Sequence, residues 1–213
     1  YRTLGGIFGD ANEAGLEPTL YRTADVVYKI GVDVNGNLAW QIYYYQQAPD
    51  FAGGLGWRQF GRSTAADMKD VSVFPDEGLI VKRLGGTDLS ITLAGSVKVS
   101  KSSTPIRQGF NLISNSYPVD STLEDLALYN PDGSLLASGS TSDADRIYYV
   151  NDLGQFDIFY YQEAPSFAGG NGWRKLGAST STDQKGTVIP AGRSIIILRR
   201  SETGFTWTTN VPF

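Results

Sequence analysis

The chain has no cysteine, no histidine and a single methionine among 213 residues. Without cysteine, no disulfide can staple the fold. Without cysteine or histidine, a zinc centre loses both of its preferred ligands. Ser-His-Asp and Cys-His nucleophilic machinery is excluded for the same reason. Basic runs are missing too. Eighteen Lys and Arg stand against 22 Asp and Glu, a net charge of −4, so no nucleic-acid partner is expected. No apolar run approaches the roughly 20 residues of a membrane-spanning helix, so no membrane span is expected either. The sequence opens on Tyr1 rather than Met, as expected of a cleaved precursor or a trimmed chain.

What is present is glycine and aromatic residue: 25 Gly, 12 Tyr, 10 Phe and 4 Trp. Short runs of β-branched and aromatic residues alternate with Gly, Pro, Asn and Asp clusters. That pattern predicts an all-β fold. Strands are expected at 26–32, 38–45, 71–74, 79–84 and 89–93. In the second half they are expected at 110–114, 126–129, 146–150, 156–161, 187–189, 194–199 and 205–209. Asn35-Gly36 and Asp132-Gly133 suit tight hairpin turns. Asp33 with Asn35 and Asn37 faintly resembles a calcium loop but lacks its closing Glu, so a hairpin turn is the better reading.

The chain is internally duplicated. Residues 43–69 and 159–185 match without a gap at 17 of 27 positions. The match extends outward: 24–28 pairs with 144–148, and 79–83 pairs with 196–200. Two homologous β-sandwich or barrel-like repeats are therefore expected, at 1–99 and 107–213, joined by a polar linker at 100–106. The second repeat opens with a strand around 110–114 that has no counterpart in the first.

The block A-P-x-F-A-G-G-x-G-W-R occurs at 48–58 and again at 164–174. Its glycines invite a phosphate-loop reading, but no Gly-Lys-Ser/Thr follows. The plainer expectation is a compact loop whose aromatic residues plug the core, with Arg58 and Arg174 capping a carboxylate or stacking. Aromatic binding by Trp57, Trp173, Tyr44 and Tyr160 is the functional alternative, with glycans as partners. Asp25, Asp145, Asp67 and Asp183 recur at equivalent places. They read as structural turns or caps rather than as a duplicated catalytic pair, and neither an enzyme nor a cofactor is expected.

The segments Gly109–Ser114, Ala144–Tyr148, Gly172–Arg174 and Ile189–Gly192 carry a resemblance. They resemble the strand and turn order of bacterial secreted tandem β-repeat proteins with G-[WF]-N-L-[IV]-S, A-D-x-[IV]-Y, G-W and P-x-G motifs. The first half departs from that order by lacking the opening strand. The resemblance implies an extracellular or cell-surface setting and supplies no catalytic residues.

A sheet that lacks a strand exposes unpaired backbone groups and an apolar groove. The expected function is a structural protein that assembles with other copies of itself into a filament or surface layer by strand exchange. The expected donors are residues 1–10, anchored by Leu4, Ile7 and Phe8, or residues 205–213, with Phe205, Trp207 and Phe213. A carbohydrate-binding or adhesive module is the alternative.

Overall fold

A computed structural model describes residues 2–19, 22–33, 35–86, 88–92, 98–115, 117–130 and 134–209. Phe213, Leu93 and the Asp132-Gly133 turn lie outside the described residues. Strand makes up 36% of the chain and helix 6%, so the protein is all-β. It forms two compact units, Tyr1–Ser96 and Val97–Phe213.

The first unit contains β1 (Arg2–Thr3), α1 (Leu4–Phe8), β2 (Val26–Val32), β3 (Leu38–Gln46), β4 (Gly56–Gln59), β5 (Ser72–Val73) and β6 (Ile80–Lys82). Its main sheet is antiparallel and runs β4-β3-β2-β6, while β1 pairs with β5. Period-two alternation decides which rings go where. Tyr43 and Tyr45 enter one core with Leu4, Phe8, Val27 and Trp57. Tyr44 packs on the opposite face with Ala24 and Val26. The β2–β3 hairpin closes on Gly36 at φ +85°. The Asp33 carboxylate accepts the N–H of Asn35 and of Asn37 there, which makes Asp33 a turn former.

The second unit contains β7 (Ser102–Ile106), β8 (Gly109–Ser114), β9 (Ser121–Thr122), β10 (Arg146–Val150), β11 (Phe156–Gln162), β12 (Gly172–Lys175), β13 (Val188–Ile189), β14 (Ser194–Arg199) and β15 (Phe205–Thr209). The main sheet runs β12-β11-β10-β14-β8, with β9 on β13 and β7 on β15. β14 is apolar on both faces and lies between β10 and β8. Its Ile195, Ile196 and Ile197 are all buried. The stretch expected to be a linker is mostly strand: β7 pairs with β15 along its whole length. Residues 126–129, expected as strand, lie in a turn followed by irregular chain.

The order β4-β3-β2-β6 recurs as β12-β11-β10-β14, and β8 is the added strand. The pairings also correct the expected alignment of the halves. Val27 faces Val81 as Ile147 faces Ile197. Residues 79–83 therefore correspond to 195–199, one position earlier than sequence similarity suggested. A one-residue slip would exchange the two faces of the strand, so the register matters.

The corrected register aligns two buried carboxylates. Asp25 lies 2.6 Å from Arg83 Nε and accepts backbone N–H groups from Glu17, Leu84 and Gly85. Asp145 lies 2.6 Å from Arg199 Nη1 and accepts N–H groups from Leu136 and Arg200. Both carboxylates tie the last strand of the repeat to the loop ahead of its first hairpin. For Asp25, burial pushes the pKa up. The three N–H donors and Arg83 outweigh burial and hold the group below its ordinary 3.8. A depressed folded pKa contributes stability that is fully present above the unfolded value and lost as pH falls through the folded one. Acid titration of the full chain should therefore weaken the first unit below about pH 4. Asp25→Asn should flatten that part of the profile, as read by hydrogen exchange at residues 26–32. An unchanged profile would remove Asp25 from the account of acid stability.

Candidate functional site

In both copies of the repeated block the chain leaves a sheet strand and makes one 3-10 turn, Asp50–Ala52 or Ser166–Ala168. It returns as β4 or β12. The turn is capped by Gly53 at φ +99° or Gly169 at φ +100°. A Cβ on Gly53 would lie 2.8 Å from the Thr64 carbonyl, so glycine is required both for φ and for space. Buried side chains hold the loop from beneath. Gln46 Nε2 donates to the carbonyls of Ala52 and Gly54, and Gln162 Nε2 to those of Ala168 and Gly170. Arg58 Nη2 donates to Gly53 and Leu55, and Arg174 Nη2 to Gly169 and Gly170. The arginines were expected to cap a carboxylate or stack. Their main partners are instead loop carbonyls, and Arg174 lies 3.9 Å from Asp183. Asp67 and Asp183 each accept two backbone N–H groups, as expected of turn residues. The loops are braced structural turns, with no phosphate cradle.

The bracing pushes one ring of each loop outward. Phe51 is 94% exposed and Phe167 is 91% exposed. The expectation that the loop aromatics plug the core holds for Trp57 and Trp173 and fails for Phe51 and Phe167. The available signal was the Pro-x-Phe-Ala-Gly-Gly spacing, in which a single turn capped by glycine leaves no room to fold the ring back.

The aromatic residues expected to bind ligand through open faces are placed otherwise. Trp57 is 0% and Trp173 is 4% exposed, and Tyr44 and Tyr160 are buried as well. No ring of this set offers a stacking platform, because each fills a sheet face. The expected strand donors are also engaged within their own units. Leu4 and Phe8 are buried beside Trp57, and Ile7 packs partly against the same core. Phe205 packs partly on the second core, with the Arg199 guanidinium 5.2 Å from its ring centre. Trp207 is buried and donates its indole N–H to Leu126 O at 2.7 Å.

Two features remain open. The first is the outer edge of β6, the last strand of its sheet among the described residues. Leu79, Ile80 and Val81 are half-buried there, whereas their counterparts Ile195, Ile196 and Ile197 are buried.

The second is a cavity of about 320 Å³ in the Val97–Phe213 unit. Leu123, Ala127, Tyr129, Tyr161 and Trp173 wall it, and Glu124, Asn171, Asp183 and Lys185 supply its polar groups. Tyr129 and Tyr161 stack at 3.4 Å, and Tyr161 meets Trp173 edge-on at 5.5 Å. The Tyr129 hydroxyl donates to Glu163, which, with burial, pushes its pKa up to about 12. Burial, then the charges of Asp183 and Glu163, also push Tyr161 up. Lys185 Nζ lies 3.6 Å from Glu124.

Among the described residues, no group of three or more acidic side chains could hold a metal ion. No helix there is long and apolar enough to cross a membrane. Comparison with protein-family models, with characterised proteins and with solved structures finds no match. Fold and surface together define an all-β chain of two units, one with a main sheet that, among the described residues, has one strand fewer than the other.

Proposed function

We propose that the chain is a structural protein that joins copies of itself by extending β-sheets from one copy to the next. The carrying observation is the edge of β6. Its counterpart β14 is covered on that side by β8, whereas β6 has no such neighbour among the described residues. An edge with half-buried Ile80 and Val81 favours an added antiparallel strand, because backbone groups pair and apolar side chains leave water together. Free termini are not the donors in this reading, since α1 and β15 serve their own units. The partner surface that needs no unfolding is the outer edge of β8, which closes the five-stranded sheet. β6 against β8 of another copy is a heterologous contact, and such a contact propagates unless it closes into a ring. Phe51 and Phe167 add apolar knobs that a neighbour would cover. The resemblance to secreted repeat proteins supports an extracellular or surface setting.

Light scattering and negative-stain microscopy over a concentration series test this. Particles longer than one chain are expected to grow with concentration. Ile80→Lys, which puts a charge on the β6 edge, is expected to return them to single chains without loss of the circular dichroism spectrum. A wild-type chain that stays at 23.1 kDa throughout overturns the proposal. So do assemblies that Ile80→Lys leaves intact.

A further inference from the structure

The cavity of the second unit has a built-in control, because the equivalent place in the first unit is closed. Backbone pairing aligns the two. Leu4 N–H bonds to Val71 O and Gly5 N–H to Lys69 O, as Leu123 N–H bonds to Thr187 O and Glu124 N–H to Lys185 O. Phe8 therefore stands where the second unit has Ala127. Phe8 packs 5.6 Å from Trp57 and fills the space. Ala127 is held at φ +49°, a conformation that residues other than glycine rarely adopt, and leaves the space open. Leu55 and Gly5 of the first unit correspond to Asn171 and Glu124. One copy is thus filled by an apolar ring, and the other is a partly open depression with polar side chains around it.

The tryptophans differ in the same sense. Trp57 Nε1 donates to Gly9 O at 2.9 Å. Trp173 spends its backbone N–H on Asp183 and its carbonyl on Arg174, while its indole N–H has no acceptor among the described residues. The ring that carries this donor is 4% exposed and walls the cavity. The N–H itself is not among the buried unsatisfied atoms of the described residues, so it keeps access to solvent and is available to a ligand.

We propose that this cavity binds one neutral saccharide ring, with Trp173 Nε1 donating to one of its oxygens and Asp183 and Glu124 accepting from its hydroxyls. Hydroxyl groups both donate and accept, which this mixture of indole, amide, ammonium and carboxylate groups requires. The carboxylates of Glu124, Glu163 and Asp183 oppose an anion. A simple ammonium ion would leave the indole N–H unanswered. The volume is at the small end of the roughly 300–1,000 Å³ usual for ligand pockets, which suits a single ring. Recognition here is by hydrogen bonds from the exposed side chains that rim a partly open depression, which is why buried aromatics are no obstacle to it. The site is independent of the β6 edge.

The test titrates the full chain with the methyl glycosides of glucose, galactose, mannose and N-acetylglucosamine, read by saturation-transfer NMR and tryptophan fluorescence. At least one is expected to bind saturably with a Kd on the order of 1 mM. Trp173→Phe keeps an aromatic ring but removes the donor, and should weaken binding about tenfold. Asn171→Leu copies the first unit at an exposed position and should weaken it comparably, so it decides the matter if Trp173→Phe fails to fold. The proposal is overturned if no glycoside binds, if Asn171→Leu binds as wild type does, or if n-butylammonium or inorganic phosphate binds more tightly than every glycoside.

Discussion

Asp145→Ala is expected to destabilise the Val97–Phe213 unit by about 3–5 kcal/mol, the usual cost of removing one partner of a buried ion pair. The carboxylate is fully buried, and the Arg199 side chain beside it is 8% exposed. Truncation strands that guanidinium and leaves the Leu136 and Arg200 N–H groups without their acceptor. Arg199 would keep bonds to Ser134 O and Thr203 O, which limits the loss. Asp145→Asn should cost less, because an amide oxygen still accepts. Urea unfolding followed by hydrogen exchange at residues 146–150 separates the two variants. Equal and small effects would mean that packing alone holds β14 to its loop.

Trp57→Ala should cost the first unit about 3–5 kcal/mol, as aromatic-to-alanine changes in cores do. Trp57 is fully buried, meets Phe8 at 5.6 Å and Tyr45 at 5.7 Å, and holds α1 through its bond to Gly9 O. Removal deletes the contact that keeps a five-residue, glycine-containing helix in place, so α1 should lose exchange protection before the main sheet does. A melt in which residues 4–8 remain protected would show that the Thr3 cap and Leu4 suffice.

How far these features were legible in the chain depends on how much local pattern each carried. β2, β10, β14 and β15 fall where alternation and β-branched residues place them. β4 and β12 were hidden because each starts at a glycine inside a loop-like block and runs four residues. β7 was hidden by its composition, Ser-Ser-Thr-Pro-Ile. Its alternation is real, with Ser102, Thr104 and Ile106 buried and Ser103 and Pro105 exposed, but small polar residues do the facing inward. α1 had no helical period to read in five residues. It exists because the Thr3 hydroxyl accepts the Gly6 N–H and because Leu4 and Phe8 reach a core assembled from distant strands. The early end of the first sheet was visible as a missing alignment partner. The cavity was not, because the exchange of Phe8 for Ala127 acquires meaning only when both stand beside an equivalent tryptophan.

The pairing of β8 with β14 has a consequence for synthesis. Asn111 reaches Ile197 across 86 positions, and Ser103 meets Thr208 across 105. A chain made from its amino end completes the first unit, then releases β7 and β8 well before their partners exist. Such distant pairings close slowly, and a waiting apolar strand is exposed to other edges meanwhile. Slow closure of this unit lengthens the time for which β8 stands open to strands other than β14.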